Sequence, residues 1–424
     1  MAASPDSRLA INGGSPVRTR RWPDWPRADA RMQRNVLDAL HSSKWTISGL
    51  SERTYSYERR FGEAFAAFCG ISYGVPCSSG TAALTIGLQA LGVGPGDEVI
   101  VPGLTWVACA SSVCNLGAIP VLVDVDRATL CLSPALAEMA ITSRTRAIMV
   151  VHLYSSFADI DALAAISERY GVPLLEDCSQ AHGAVFRAER AGTFGAIGAF
   201  SLQQSKLLTA GEGGIAVTND ETLYDRMQQF RADGRRYHRT PSEARWSFWE
   251  LEYAGDVAGR NLCMNELSAA AVLSGLQHLD GQNALRAQNF HILRQKVKEI
   301  QGFRFIETAD SCSIPTFYRL CGRVEMSLLR GRAIEDVATA LTAELRLPIE
   351  RIDRPLNDHP LYNPLKYPPV AALGADAARF DPSRFNLPEA TNNSLTCVGI
   401  PHQCLLGDES DIDDLVTAIK KVLL

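Results

Sequence analysis

The chain has 424 residues, 46% of them hydrophobic and 21% charged, with a formal net charge of −5. That is the composition of a globular protein long enough for one large domain and a smaller one, and its slightly acidic balance offers nucleic acid or an anionic membrane no electrostatic hold. The first residues lack the apolar stretch of a secretory signal, and Gly, Pro and polar residues break every apolar run before bilayer-spanning length, so the expected location is the cytosol.

In chain order, residues 1–34 hold several Pro and Gly and read as an N-terminal arm laid over the surface. From 35 to about 280 helical and strand-like spacings alternate. Helices are expected at Tyr57–Cys69, at Thr81–Leu91 stopped by Gly92, at Ala108–Leu116, at Asp159–Tyr170 stopped by Gly171, and at Thr222–Phe230. Strands are expected at Glu98–Val101, Pro120–Val123, Ala147–His152, Pro173–Glu176, Ala196–Leu202 and Ile215–Thr218. Apolar strands alternating with helices of this length imply an α/β domain built on a mostly parallel sheet. From 281 to 424 the pattern changes: a long helix at Gln282–Ile300, a strand at Phe303–Ile306, a helix near Glu335–Leu345, a Pro- and Asn-rich loop over 355–388 and a closing helix at Ile412–Leu424. This reads as a smaller α+β domain.

Eleven cysteines are scattered, with no CxxC pair, which points to reduced thiols rather than disulfides. No Cys and His cluster at close spacing, so no metal is expected. Only seven of the 42 basic residues are lysines, and Lys206 stands alone between Lys44 and Lys296.

Three segments lie where ligands gather in open sheets, at the carboxyl ends of strands. In Cys77-Ser78-Ser79-Gly80-Thr81-Ala82, small polar residues open a helix, whose free N–H groups and dipole attract an anion. Ser79 and Thr81 can add hydroxyl donors and Gly80 permits close approach; the competing reading is a plain helix N-cap. In Leu174-Leu175-Glu176-Asp177-Cys178-Ser179-Gln180-Ala181-His182-Gly183, a buried strand runs into two carboxylates that alternate to opposite faces. A buried Asp177 needs a cationic partner, and a protonated pyridine nitrogen would serve; the competing role is capping of neighbouring amides. In Phe200-Ser201-Leu202-Gln203-Gln204-Ser205-Lys206, followed by Gly211-Glu212-Gly213-Gly214, a strand delivers a lysine into a loop. Desolvation makes a lysine amine available for Schiff-base chemistry, and Ser201 can donate to a phosphate.

At these residues the chain resembles the DegT/StrS-type sugar aminotransferases, a branch of the fold-type I, aspartate-aminotransferase-like pyridoxal-phosphate enzymes. The resemblance runs from Trp45-Thr46-Ile47-Ser48-Gly49 to Asp411. It implies pyridoxal 5'-phosphate as cofactor, with Lys206 binding its aldehyde and then carrying the proton between substrate carbon and cofactor. It implies further that Asp177 pairs with the pyridine nitrogen, Gln180 meets the phenolic oxygen, Trp106 stacks on the ring, and Gly80, Thr81 and Ser201 hold the phosphate. Asn261 matches a residue that reaches the phosphate of a neighbouring subunit, which implies a homodimer with a shared active site. Here the chain departs from the family's Asn-Tyr-Arg-Met, reading Asn261-Leu262-Cys263-Met264. Dehydratase relatives carry histidine where this chain has Lys206.

Within the family, Trp22-Pro23-Asp24-Trp25-Pro26, Lys44-Trp45-Thr46-Ile47-Ser48-Gly49 and His152-Leu153-Tyr154-Ser155-Ser156 are similar to glutamine:2-deoxy-scyllo-inosose aminotransferases of aminoglycoside biosynthesis. A keto-cyclitol acceptor and an amino-acid donor such as L-glutamine are therefore expected. Candidate substrate contacts are Tyr154, His182 and, in Arg235-Arg236-Tyr237-His238-Arg239, Arg236 and His238. The competing readings are packing for Tyr154, a satisfied interior imidazole for His182 and a solvated face for the arginines. Two other readings stay open: an acceptor that is a nucleotide-linked keto-sugar or an aminoshikimate-type compound, and a cofactor-bound regulator without turnover.

Overall fold

A computed structural model describes residues 8–48, 56–238, 249–306 and 313–424. Seven strands form the main sheet: β1 (Tyr73–Cys77), β2 (Glu98–Pro102), β3 (Ile119–Val123), β4 (Thr145–Val151), β5 (Leu174–Asp177), β6 (Ile197–Ser201) and β7 (Gly214–Thr218). Their order is β1-β7-β6-β5-β4-β2-β3. All run in one direction except β7, which lies antiparallel between β1 and β6. Every residue of β2, β5 and β7 is buried, so these strands show no solvent face.

The helices begin and end where their capping chemistry dictates. Among them, α1 (Ala30–His41) starts at Asp29, whose carboxylate accepts the Met32 N–H. The next, α2 (Tyr57–Cys69), starts at Ser56 and stops at Gly70, whose φ of 76° suits glycine. Helix α3 (Gly80–Ala90) is buried almost all round. It packs so closely that a Cβ on Gly87 would lie 2.9 Å from Leu175. Helices α4 (Ala108–Cys114), α5 (Ile160–Tyr170), α6 (Glu221–Arg231) and α7 (Glu266–Gly275) complete the set around this sheet.

The later part of the chain builds a second, antiparallel sheet from β8 (Phe303–Ile306), β9 (Arg319–Val324), β10 (Glu350–Arg351) and β11 (Cys397–Pro401), in the order β8-β9-β11-β10. Helices α8 (Leu279–Val297), α9 (Ile334–Leu345) and α10 (Glu409–Leu423) share a separate core with it, including Phe290, Leu320, Val337, Ile400 and Leu415. The N-terminal arm is bolted onto this second core. Arg18 is buried and its Nη1 lies 2.8 Å from both Asp411 and Asp414, while its guanidinium stacks 3.5 Å over Trp22. The Trp22 indole N–H donates to the Leu345 carbonyl at 2.7 Å.

Several elements differ from the sequence-based expectation. The arm gives way to α1 at Asp29 rather than at residue 34. Strand β1 was not anticipated because Gly74 and Pro76 interrupt it; it tolerates them as the edge of the sheet. Helix α7 and the short helix Pro134–Met139 were also unforeseen, as were β9, β10 and β11. Over 355–388 the expected loop is instead a chain of short helical turns. It docks on the carboxyl ends of the main strands: the Leu356 N–H donates to the Gly103 carbonyl, and the Glu389 and Ala390 N–H groups to Asp124.

Strand β7 and the start of α3 cross at close backbone distance. A Cβ on Gly214 would sit 2.2 Å from the Ser79 carbonyl oxygen, a main-chain atom with nowhere to go. Gly214→Ala is expected to lower stability by about 1–3 kcal/mol, read as an earlier midpoint in urea unfolding.

Candidate active site

Strands β1, β5 and β6 end at the same edge of the sheet, and each hands over to one of the three segments singled out in the sequence. A cavity of about 450 Å³ opens there, lined by Ser79, Gly80, Thr81, Trp106, Asp177, Gln180, Ser201 and Lys206 among others.

The anion end of the cavity is the start of α3. Ser79 is the N-cap and its hydroxyl oxygen accepts the Ala82 N–H at 3.1 Å, so the plain capping role is real. It leaves the Gly80 and Thr81 N–H groups without a protein acceptor among the described residues. Gly80 is required because a Cβ there would lie 2.6 Å from the Ser201 Cβ. Two amides, the Thr81 hydroxyl and the Ser201 hydroxyl thus converge at a helix N-terminus, a fit for a phosphate.

At the end of β5 the two carboxylates diverge. Glu176 is fully buried and points away from the cavity. It accepts the N–H groups of Gly192, Phe194 and Gly195 at 2.9, 2.8 and 2.6 Å and faces His152 Nε2 at 3.1 Å. His152, Glu176 and Cys178 form a cluster that the sequence spacing did not reveal, with ligand-type atoms within 4.8 Å of one another. Its lone pairs are committed to hydrogen bonds: His152 Nδ1 takes the Ala158 N–H and the Glu176 oxygens take the donors just named. Asp177 points the other way, is 6% exposed, and lines the cavity. One oxygen accepts the Ser179 N–H at 2.9 Å, the other the Cys109 thiol at 3.1 Å. Burial, together with the charge of Asp177, pushes the Cys109 thiol well above its ordinary range, so it stays a donor. No cationic side chain lies within ion-pair distance of Asp177 among the described residues. A buried carboxylate without a cation is a half-finished ion pair, and the protonated nitrogen of a pyridine ring completes it.

Lys206 lies in the loop after β6, its amine 4.1 Å from the centre of the Tyr318 ring. Burial would raise the Tyr318 phenol, but the nearby charges of Lys206 and Arg319 and the hydrogen bond to Ser205 bring it below its ordinary value. Gln180 turns its carboxamide oxygen to the Tyr154 N–H at 2.8 Å, which leaves the NH2 as its free polar end. Trp106, 50% exposed, stands at the cavity lining. Tyr154 also lines it, but its hydroxyl is held by Asp353, to which it donates at 2.8 Å, and its backbone is left-handed at φ 59°.

Three of the expected substrate contacts are not at this cavity. His182 is buried behind Ser201, donating Nε2–H to the Ser201 carbonyl at 2.8 Å, while its Nδ1 has no partner. It is an interior imidazole, though not the fully satisfied one of the competing reading. Arg236 lies in the short ribbon of Arg235–Tyr237 with Leu251–Tyr253 and is neutralised by Asp225 and Glu252. His238 meets the Trp249 carbonyl at 3.1 Å and Glu252 at 3.5 Å. Arg239 falls outside the described residues. Asn261 forms an isolated bridge with Ala232, also away from the cavity of its own chain. In their place the second sheet supplies a wall that sequence reasoning missed: Tyr318, Arg319, Glu350, Arg351 and Asp353. Arg319 pairs with Glu350 at 3.2 Å. Nothing in their spacing marks them, because three separate strand ends and loops bring them together.

Comparison with known proteins agrees with this geometry. Residues 26–419 match the DegT/DnrJ/EryC1/StrS aminotransferase family. The chain belongs to that family. An L-glutamine:scyllo-inosose aminotransferase of Streptomyces griseus is 47% identical, over 99% of this chain and 98% of that protein. An L-glutamine:2-deoxy-scyllo-inosose aminotransferase of Streptoalloteichus tenebrarius is 46% identical, over 98% of this chain and 97% of that protein. Among solved structures, 3-amino-5-hydroxybenzoic acid synthase superposes with a TM-score of 0.79 at 30% identity, covering 96% of this chain and 99% of its own. DesV of S. venezuelae, solved with a ketimine intermediate, gives 0.74 at 28%, covering 92% and 94%.

As a DegT/DnrJ/EryC1/StrS aminotransferase the protein is a pyridoxal-phosphate enzyme of the aspartate-aminotransferase-like α/β fold. The free amides of α3, the unpaired Asp177 and the amine of Lys206 are the donor set such a cofactor needs.

Two outcomes follow. Asp177→Asn should retain the cofactor but slow turnover by about 100-fold or more, since the pyridine nitrogen then loses its charge partner; single-turnover kinetics with donor alone checks this. The His182 imidazole is pushed from its ordinary 6.5 down to about 3, by burial first and by the Lys206 charge second. A depressed folded value means stability that is present above pH 6.5 and drains away as pH falls toward 3. In His182→Gln the slope of unfolding free energy against pH should be flatter across that window.

Proposed function

We propose that this aminotransferase moves the amino group of L-glutamine onto the ring ketone of a keto-cyclitol of the 2-deoxy-scyllo-inosose or scyllo-inosose type, in an aminoglycoside pathway. What carries the acceptor assignment is near-full-length similarity, close to half of all residues, to aminotransferases named for those cyclitols. The cavity wall supports it: Arg319 and Arg351 are matched by Glu350 and Asp353, giving a polar surface with little net charge. Such a surface suits an uncharged polyhydroxy ring, whose every buried hydroxyl needs a partner.

In this reading Lys206 holds the cofactor and, once displaced by the donor, takes the proton from the donor α-carbon and later returns one to the aminated ring carbon. Asp177 keeps the proton on the pyridine nitrogen, Gln180 donates to the phenolic oxygen, and Trp106 covers a ring face. Ser79 caps α3 so that Gly80 and Thr81, with Ser201, grip the phosphate. When bound, pyridoxal phosphate supplies the aldehyde and the electron sink.

Asn261 serves the phosphate of a second copy, and the unit is a homodimer; the position of Asn261 outside its own cavity supports this. The chain divides into an arm, a large cofactor domain to about residue 280 and a smaller C-terminal domain; the second hydrophobic core, drawn from residues 290–423 with Trp22, favours that division, although Leu356, Tyr362, Phe380 and Leu387 pack with the first core. Among the described residues no helix is long and apolar enough to cross a membrane, and the ten described cysteines are free thiols, in keeping with a place in the cytosol.

The deciding assay supplies purified enzyme with L-glutamine and a panel of acceptors: both inososes, nucleotide-linked keto-sugars and an aminoshikimate-type ketone. Amine should form on an inosose at least about tenfold faster than on any other acceptor. A nucleotide-linked sugar as the preferred acceptor refutes the assignment. Lys206→Ala should lose turnover by a factor of about 10⁴ or more and lose borohydride-fixed cofactor with it.

A further inference from the structure

Arg286, on α8, is completely buried, yet no carboxylate lies within ion-pair distance of it among the described residues. Buried guanidinium groups ordinarily keep a carboxylate, because an unpaired charge opposes folding. This one spends its donors differently. Its Nε–H donates to His402 Nδ1 at 3.3 Å and its Nη1–H to Asn283 Oδ1 at 2.9 Å, while Nη2 has no acceptor. The face of the group lies 5.1 Å from the Trp25 ring.

Both bonds lead to the lysine loop. Receiving a proton at Nδ1 commits His402 to carry its own on Nε2, which donates to the Ser205 carbonyl at 3.2 Å. Asn283 donates to the His182 carbonyl at 2.9 Å, and His182 Nε2–H in turn donates to the Ser201 carbonyl. The Trp25 indole, edge-on to His402 at 4.8 Å, donates to the Lys206 carbonyl at 3.1 Å. Gly183, at φ 82°, leaves room for this: a Cβ there would lie 2.9 Å from the Asn283 amide. The carbonyls of residues 201, 205 and 206 are thus each taken by a ring N–H from a different part of the chain. Lys206 belongs to no strand or helix, and its own N–H reaches only the Gln203 carbonyl. Its main chain is therefore held in place chiefly from outside.

We infer that Arg286 is a positioning residue for transamination: through His402 and Asn283 it fixes the ring donors that clamp the lysine loop, and so holds the Lys206 amine at the carbon it must serve. It touches neither cofactor nor substrate. Burial drives both imidazoles below their ordinary values, which keeps them neutral and in these donor roles. The inference rests on Lys206 being the attachment point, but not on which ketone is aminated.

The test reads covalent attachment of pyridoxal phosphate to the full-length apoprotein, by the growth of its visible absorbance with no ketone present, alongside steady-state kinetics. Arg286→Gln and His402→Phe should each slow attachment and lower kcat by about tenfold or more, with KM for the donor moving less than about threefold. The double variant should be no slower than the worse single, because both changes cut the same chain of bonds. His402→Gln, which restores a side-chain N–H, should recover most of what His402→Phe loses. Should Arg286→Gln fail to fold, the His402 pair carries the test. Normal attachment and kcat in His402→Phe or in a folded Arg286→Gln, or losses that multiply in the double variant, would overturn the inference.

Discussion

Two neighbouring carboxylates at the end of β5 must face opposite ways, and the site takes its form from that alternation. Glu176 turns inward and gathers three main-chain N–H groups from the segment 192–195 together with His152, so the strand end is nailed to the interior without any cation. Asp177, one residue on, is thereby aimed at the cavity with its position already decided. Its remaining demand, a positive partner, is one that a protonated pyridine nitrogen would meet. A charge held in advance for a group that arrives later is electrostatic preorganisation: binding needs no rearrangement of the strand.

The same division between holding and acting recurs around Lys206. Its amine faces Tyr318 from the second sheet, whereas its main chain is fastened by the arm, by the turn after β5 and by the segment after β11. Residues far apart in the chain converge there because the arm is itself secured to the second core through Arg18 and Trp22. Fold and chemistry meet in these bonds. Packing of the second core fixes the arm, and the arm holds the Lys206 carbonyl.

The segments that meet at the cavity were legible in the sequence because each is a short contiguous run: a capped helix start, a strand ending in paired acids, a lysine just past a strand. In each, local geometry settles which way the side chains point. The reading departs from the cavity of this chain where contacts are long-range. His182 lies within one of those runs, yet the fold turns it inward behind Ser201; Arg236 and His238 find an acidic partner in Glu252 on their own ribbon. Tyr318, Arg319 and Asp353 carry no local pattern, and β9 and β11, which include Gly322 and Gly399, lack the simple alternation of a half-exposed strand. Strand β1 was hidden for a related reason, since Pro76 is tolerated only because that strand forms an edge.

The two walls of the cavity come from two different sheets, and this bears on how such an enzyme can diversify. Groups at the ends of β1, β5 and β6 line one wall, while Tyr318, Arg319, Glu350, Arg351 and Asp353 line the other. Tyr154 is the strut between them, with its amide on Gln180 and its hydroxyl on Asp353. Libraries that vary Arg319, Glu350 and Arg351 while sparing Tyr318, Tyr154 and Asp353 would redraw one side of a single room and leave the other as it stands.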